Sequence, residues 1–347
     1  MNANDESPPP LQDARMLALP DREPPNTVAA RDINGRRKEE RVESLSDKWR
    51  RWRRSLKARF PYVRRREFEI MSRMPARLID DIVLRSCASD AVALVALKAP
   101  DATLTEEICL FVSHAARPAL KRHTALHLEQ LLDAGIPVVL ILNTALDSAD
   151  IQIDPALLAR LRGVYVRGNR GYDFAAWSHA WKTMQRLPGC TRLYLVNDSV
   201  IGPLDTGHFR QMIARIRNSA ADVIGLTEAP EPTLHLQSYF LVIQGRALRS
   251  QLFTHFFDAT LCLPTKEWVV TFYEIRLTEY FRDAGLTCEA LFTSATTPGG
   301  YTVNDTMHRW AGLIADGYPY IKTRIVAEEA ANPRMQALVP EYLRRGD

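Results

Sequence analysis

Residues 164–174 read Val-Tyr-Val-Arg-Gly-Asn-Arg-Gly-Tyr-Asp-Phe, and residues 193–203 read Leu-Tyr-Leu-Val-Asn-Asp-Ser-Val-Ile-Gly-Pro. Each is a short β-branched and aromatic run that breaks into polar, turn-forming residues, as a buried strand does where it ends. The pattern continues outward on both sides. Ile108 to Ser113, Val138 to Leu142 and Val223 to Leu226 are further strand-sized apolar runs. Between them, 118–134, 174–187 and 209–217 carry helical spacing, the first through Leu120, Leu128, Leu131 and Leu132, with Gly135 as its stop. Short strands alternating with helices predict an α/β fold, a mostly parallel central sheet covered by helices.

Ligands of open α/β sheets bind beyond the carboxyl ends of the strands, so the polar residues that follow each strand are the first candidates for chemistry. Arg167 to Asp173 follows the third run and Asn197-Asp198-Ser199 the fourth, which predicts both on one rim, with Asp173 and Asp198 facing a common ligand. An Asp at a strand end, beside Asn and Ser, can ligate a hard divalent cation or a ribose hydroxyl. The competing reading is structural: Asn197 and Ser199 satisfy turn backbone, and Asp198 caps the next helix. There is no phosphate loop of the Gly-Lys-Ser/Thr kind, no Rossmann glycine triplet and no serine-nucleophile elbow.

The 347 residues are 46% hydrophobic and 25% charged, which excludes a wholly disordered, collagen-like or coiled-coil chain. No run of about 18 apolar residues could span a bilayer. The start has no signal-peptide core, so the expected location is the cytoplasm. Cys87, Cys109, Cys190, Cys262 and Cys288 are scattered and not spaced as metal or redox pairs, and read as inert thiols.

Residues 1–43, rich in Pro, Asp, Asn and Arg, read as a disordered tail. A segment over 44–87 follows, with ten Lys and Arg from Lys48 to Arg66 and no acid among them. Set against the net charge of +4, those ten leave −6 on everything else. Leu45, Trp49, Trp52, Leu56, Phe60 and Val63 recur at helical spacing, interrupted at Pro61. A basic amphipathic helix with two tryptophans suits an anionic membrane surface, peripheral on the inner face of the plasma membrane. Docking on the main domain, self-association and nucleic-acid binding are the alternatives, and nucleic acid is not the expected partner.

Arg167-Gly-Asn-Arg-Gly-Tyr-Asp-Phe-Ala-Ala-Trp177, Leu195-Val-Asn-Asp-Ser-Val-Ile-Gly-Pro-Leu204, His235 to Val242, Tyr273 to Thr278 and Trp310 to Lys322 together resemble, in the same order, the rhamnan synthesis protein F family of polysaccharide glycosyltransferases. The likeness covers about residues 88–335, leaving 336–347 as a C-terminal tail. The resemblance implies a GT-A-like fold with a nucleotide-binding sheet and an acceptor-binding half. It places Asn169, Gly171, Tyr172 and Asp173 near the nucleotide, and Asn197, Asp198 and Ser199 at the usual Asp-any-Asp metal motif. Only Asp198 is an acid there, so it is a candidate for a divalent cation (Mg or Mn) or for the sugar or ribose.

Sugar transfer needs charge stabilisation of a departing diphosphate and, for inversion, a carboxylate that takes the acceptor hydroxyl's proton. Glu274 is the candidate base, on a helix with Val270, Tyr273, Leu277 and Phe281 inward, where partial desolvation is expected to raise its pKa. Glu228 and Asp222 are its competitors, and a solvated helix glutamate is the plain alternative. His235 to Ile243 reads as one strand with His235, Gln237 and Tyr239 on one face and Ser238 on the other, a surface suited to a sugar. His235 is also a candidate metal ligand, against a structural hydrogen bond. Lys322 is a candidate to neutralise the diphosphate, against a surface lysine on a strand edge. The expected protein is an inverting glycosyltransferase that moves rhamnose or a related deoxyhexose from a nucleoside-diphosphate-sugar to a lipid-linked, growing cell-surface polysaccharide or lipopolysaccharide glycan. The alternative is a sugar-binding or glycan-assembly protein without turnover.

Overall fold

The structure is a computed structural model that describes residues 30–31, 37–38, 82, 84–101, 105–185, 187, 189–230, 233–294 and 303–339. The chain divides into two units, Met1–Arg51 and Trp52–Asp347. In the first, Ala30–Arg31 pairs antiparallel with Arg37–Lys38. The rest of the expected tail and the expected basic helix over 45–66 lie outside the described residues. The helix Pro333–Leu338 runs across the expected boundary at 335, with Met335 and Val339 buried.

The second unit is built on one nine-stranded sheet. Its strands are β1 (Leu94–Lys98), β2 (Glu107–Ala115), β3 (Val138–Thr144), β4 (Gly163–Gly168), β5 (Arg192–Asn197), β6 (Val223–Ala229), β7 (His235–Leu236), β8 (Phe240–Gln244) and β9 (Cys288–Phe292). The order is β7-β6-β8-β5-β2-β3-β4-β1, with β9 also on β6. β5, β2, β3 and β4 are mutually parallel. β8 lies antiparallel to both β5 and β6, so β6 and its parallel neighbour β9 run with the central four. Only β1, β7 and β8 oppose them. The sheet is therefore mixed but mostly parallel, as the alternating pattern predicts.

Burial explains why the central strands read as unbroken apolar runs. Every residue of β3 is buried, the condition of a strand covered on both faces. Alternate residues of β2 divide between two cores. Ile108, Leu110 and Val112 pack with Trp177 of α2 (Tyr172–Thr183) and with Phe253 and Phe257 of α4 (Gln251–Ala259). Cys109 and Phe111 pack with Leu128 and Leu131 of α1 (Arg122–Asp133) and with Phe209 and Ile213 of α3 (Thr206–Asn218). The buried Trp177 indole donates to Leu110 O at 2.9 Å, so its polar atom is not stranded by burial.

Three local expectations change. α1 starts at Arg122 rather than Pro118, because Pro118 O accepts from Gln152 N at 2.9 Å and Ala119 bridges Gln152, which holds that stretch extended. α2 stops at Thr183, and Gln185 and Leu187 beyond it have left-handed φ of 53° and 49°. The single strand expected over His235 to Ile243 is broken into β7 and β8 by a turn at Ser238-Tyr239.

After β5, Val200–Ile201 pairs antiparallel with Ile321–Lys322, setting Lys322 opposite Val200. Gly202 permits this approach: its φ is +146°, and a Cβ there would lie 2.5 Å from the Tyr320 ring and 2.6 Å from Pro319 O. Among the described residues no helix is long and apolar enough to cross a membrane.

Candidate active site

The carboxyl ends of the parallel strands bring Ser113 and His114 (β2), Asn143 (β3), Arg167 (β4) and Asn197 (β5) to one rim. Arg167 anchors the turn that follows β4. Its guanidinium is fully buried and donates to Arg170 O at 2.6 Å, Ser89 O at 3.1 Å and Cys262 Sγ at 3.1 Å. It also donates to His179 Nδ1 at 3.4 Å; burial, then the Arg167 charge, lower the His179 pKa to about 4, so the ring stays neutral and can accept. Gly171 then enters α2 with φ +77°, and a Cβ there would meet Cys262 Cα at 2.5 Å. Tyr172, with φ 57°, holds its own carbonyl on Asn143 Nδ2 at 3.1 Å while its side chain remains exposed. Left-handed backbone at a non-glycine residue is strain of the kind kept at ligand sites. Asn169, Arg170, Gly171 and Tyr172 line a cleft of about 220 Å³ with Arg85, Cys262, Leu263 and Pro264.

The two motifs expected on one rim do meet, through Asn197. Its Nδ2 donates to Asp173 Oδ2 at 2.7 Å, while its Oδ1 accepts from Ser199 N at 3.1 Å and Ser199 Oγ at 2.7 Å. Asp173 and Asp198, however, are committed to different partners. Asp198 Oδ2 accepts from Ser113 Oγ at 2.6 Å, Lys121 Nζ at 2.7 Å and His114 N at 3.2 Å. It is an ion pair rather than the cap of a following helix; Asp205 caps α3 instead.

Glu274 sits in a single π-helical turn, Val270–Glu274, between the helix Lys266–Val269 and α5 (Ile275–Asp283). Such turns re-aim side chains and recur at functional sites. The broken strand explains what receives Glu274: both the N–H of Ser238 (3.0 Å) and its hydroxyl donate to Glu274 Oε2, so the Ser238 amide is withdrawn from the sheet ladder. His235 Nε2 lies 3.8 Å from Glu274 Oε1, and its Nδ1 is 2.7 Å from Thr233 O, which fixes a proton on Nδ1.

The expectation of a raised Glu274 pKa is overturned. Burial pushes the carboxyl up, but His235, Ser238 and Lys322 outweigh it and the net shift is downward. The raised acid is Asp173, which burial and then the Glu274 charge push to about 6. Lys322 is not a surface lysine: its Nζ lies 3.8 Å from the centre of the Tyr239 ring, and burial lowers its pKa to about 8 against the pull of Glu274 and Asp173. Asp173, Glu274 and Lys322 thus form one electrostatically coupled cluster at the rim. Two acids and an amine held away from their ordinary pKa values make this cluster the candidate for chemistry.

His235, Gln237, Ser238 and Tyr239 are all buried. Tyr318 OH donates to Tyr239 OH at 2.7 Å; Tyr239 OH lies 2.6 Å from Thr227 Oγ1, which donates to Gln237 Oε1 at 2.7 Å. Internal partners engage these polar groups, which support Glu274 and Lys322 from behind. Of the competing acids, Glu228 ends β6 at the rim, its Oε1 accepting from Ser294 N at 3.2 Å. Asp222 precedes β6 at the opposite end, where Arg246 and Thr287 outweigh burial and hold it at about 2.

The residues around Asp198 do not fit a divalent cation. A metal's ligands offer lone pairs, whereas Ser113, His114 and Lys121 all turn hydrogens toward one oxygen of this carboxylate, Oδ2. Asn197 Oδ1 is engaged by Ser199, and His235 faces Thr233 and Glu274. Among the described residues no group of three His, Cys, Asp or Glu is arranged to hold a metal. All five cysteines are free, and burial pushes Cys190, Cys262 and Cys288 up to about 11, as befits inert thiols.

The sequence reading missed Arg167, Ser113 and Lys121 as site residues. Ser113 closes the first apolar run, so the rule that polar residues after strands line the rim would have reached it. Lys121 lies eight positions further on, and only the extended Pro118–Ala119 stretch carries it back. The family model described as rhamnan synthesis protein F matches residues 138–346. Two proteins of Vibrio anguillarum, each named virulence protein VirA and one from strain ATCC 68554 / 775, are 23% identical over 213 residues, which span 52% of this chain and 68% of theirs.

Proposed function

The chain belongs to the rhamnan synthesis protein F family, with a role in polysaccharide biosynthesis, and from that premise we propose that it is a GT-A-like inverting glycosyltransferase acting on a nucleoside-diphosphate-sugar. The observation that carries this reading is the convergence of Asp173, Glu274 and Lys322 where the parallel strands end. In the reaction, the acceptor hydroxyl oxygen bonds to the anomeric carbon as the bond from that carbon to the phosphate oxygen breaks. The electron pair of the broken bond leaves on the diphosphate, and the hydroxyl proton passes to Glu274. Glu274 is ionised at neutral pH and so can take that proton, held in place by Ser238, although its lowered pKa makes it a weaker base than a carboxyl raised toward the working pH. The Lys322 ammonium supplies positive charge where the diphosphate departs. Asn169, Gly171, Tyr172 and Asp173 receive the nucleotide, the exposed Tyr172 ring offering a stacking surface beside the cleft. The sugar is rhamnose or a related deoxyhexose, as the family description suggests.

A thermal-shift and turnover panel of nucleoside diphosphates and their sugars tests this on the full chain. One nucleotide family should raise the melting temperature in proportion to occupancy, and Tyr172→Ala should weaken that shift. Binding of glycans alone, with no response to any nucleotide, would overturn the transferase reading in favour of a glycan-binding protein.

Residues 45–66 hold the enzyme at an anionic lipid surface, where a lipid-linked acceptor would be found. Deleting them should abolish sedimentation with phosphatidylserine vesicles at moderate salt. Full sedimentation of the deleted form would refute the anchor.

A further inference from the structure

We propose that Lys121 takes the place of a divalent cation at Asp198, so that the donor diphosphate is met there by an ammonium and transfer needs no bound metal. The proposal rests on the transferase reading above and concerns the same rim.

Three observations carry it. The first is the polarity of the shell: Asp198 Oδ2 accepts from a hydroxyl, an amide and an ammonium, each presenting hydrogen. A cation taking that oxygen would have to expel Lys121 and turn Ser113 around. The second is access. The Lys121 side chain is 33% exposed and that of Asp198 16%, so the pair opens to the rim. An ammonium has three N–H groups, and the bond to Asp198 uses one. The third is the setting of Lys121 at the N-cap of α1, a twelve-residue helix with no acid in its first turn, whose dipole favours an anion at this end. Asp198 then aims the ammonium rather than binding ligand itself, which explains why one acid suffices where a metal motif uses two.

In the transfer step the bond between the anomeric carbon and the phosphate oxygen breaks with its electron pair going to the diphosphate. The acceptor oxygen bonds to that carbon and its proton goes to Glu274. Lys121 moves no proton; its N–H groups hold the charge that accumulates on the diphosphate.

Inorganic pyrophosphate, which carries the shared anion whatever the base, is the probe for calorimetry on the full chain stripped of metal. The unmodified protein should bind it equally with EDTA and with Mn²⁺, and turnover with the active nucleotide-sugar should be equally indifferent. Lys121→Met should weaken binding about 10- to 100-fold, the worth of a lost hydrogen bond to a charged group, and Lys121→Arg should restore most of it. If Lys121→Met fails to fold, the EDTA comparison on the unmodified protein decides alone. Binding or turnover that appears only with Mn²⁺ or Mg²⁺ overturns this inference and leaves the transferase standing. Absence of any binding, by pyrophosphate or nucleotide with or without metal, overturns both.

Discussion

Replacing Glu274 by Gln is expected to lower kcat by about 10²- to 10⁴-fold, the range supplied by a positioned general base, while changing donor affinity only a few-fold. The amide keeps the shape of the carboxylate. Its oxygen can still accept from the Ser238 N–H and hydroxyl, and its NH₂ can face His235 Nε2, which becomes an acceptor when that ring is neutral. The π-helical turn and the break between β7 and β8 should therefore persist. What disappears is the negative charge that receives the acceptor proton. A second readout separates this role from a structural one. Burial lowers the His235 pKa, but Glu274 and the Thr233 carbonyl together outweigh it and raise the net value, so its titration followed by NMR should move downward in the variant. A kcat loss of less than tenfold in a folded variant with that downward shift would remove Glu274 as the base. Asp173, poised near 6, would then be the next acid to replace.

The legible part of this molecule is the part whose residues interact with near neighbours in sequence. The runs Val138 to Leu142 and Leu193 to Val196 appear as strands because burial on both faces demands apolar residues at every position. The segments after the third and fourth runs could be placed on one rim because the rule about strand ends needs only chain order, but the expected meeting of Asp173 with Asp198 gives way to that of Asp173 with Asn197. The antiparallel β8 was partly legible as a strand but not in direction, since apolar runs carry no sign of orientation. The turn at Ser238 was hidden for a different reason. Its cause is a hydrogen bond to Glu274, 36 positions away, which competes with the ladder and wins because it satisfies a mostly buried carboxylate. The pKa of Glu274 failed in the same way: desolvation can be guessed from an apolar stripe, but the opposing His235, Ser238 and Lys322 come from three distant elements. Lys121 and Asp198, 77 positions apart, show the limit from the side of charge. A lysine before a helix is unremarkable until the fold brings it against an acid.

Lys322→Met should cost about 10²- to 10³-fold in kcat/KM for the donor, the scale of losing one preorganised charge at a leaving group, and should reshape the pH profile as well as lower it. kcat/KM reports the free enzyme's groups. With Asp173 near 6 and Lys322 near 8, the unmodified profile should be a bell: activity falls below about pH 6 as Asp173 takes a proton, and above about pH 8 as Lys322 loses one. In the variant the alkaline limb should vanish. The acid limb should move upward, because Asp173 loses an attractive cation while the repulsive Glu274 charge remains. Stability follows a different course. The folded Lys322 pKa, about 8, lies below the ordinary lysine value of 10.5, so burying the ammonium costs stability fully below pH 8, and that cost is relieved as pH rises toward 10.5. Methionine escapes this cost but gives up the contact with the Tyr239 ring and the attraction to Glu274. The two effects oppose each other, so a melting temperature close to that of the unmodified chain at pH 7 should accompany the large loss of activity. A variant with a lowered plateau but both limbs unmoved would show Lys322 to be a packing residue, and the diphosphate would then be met without it.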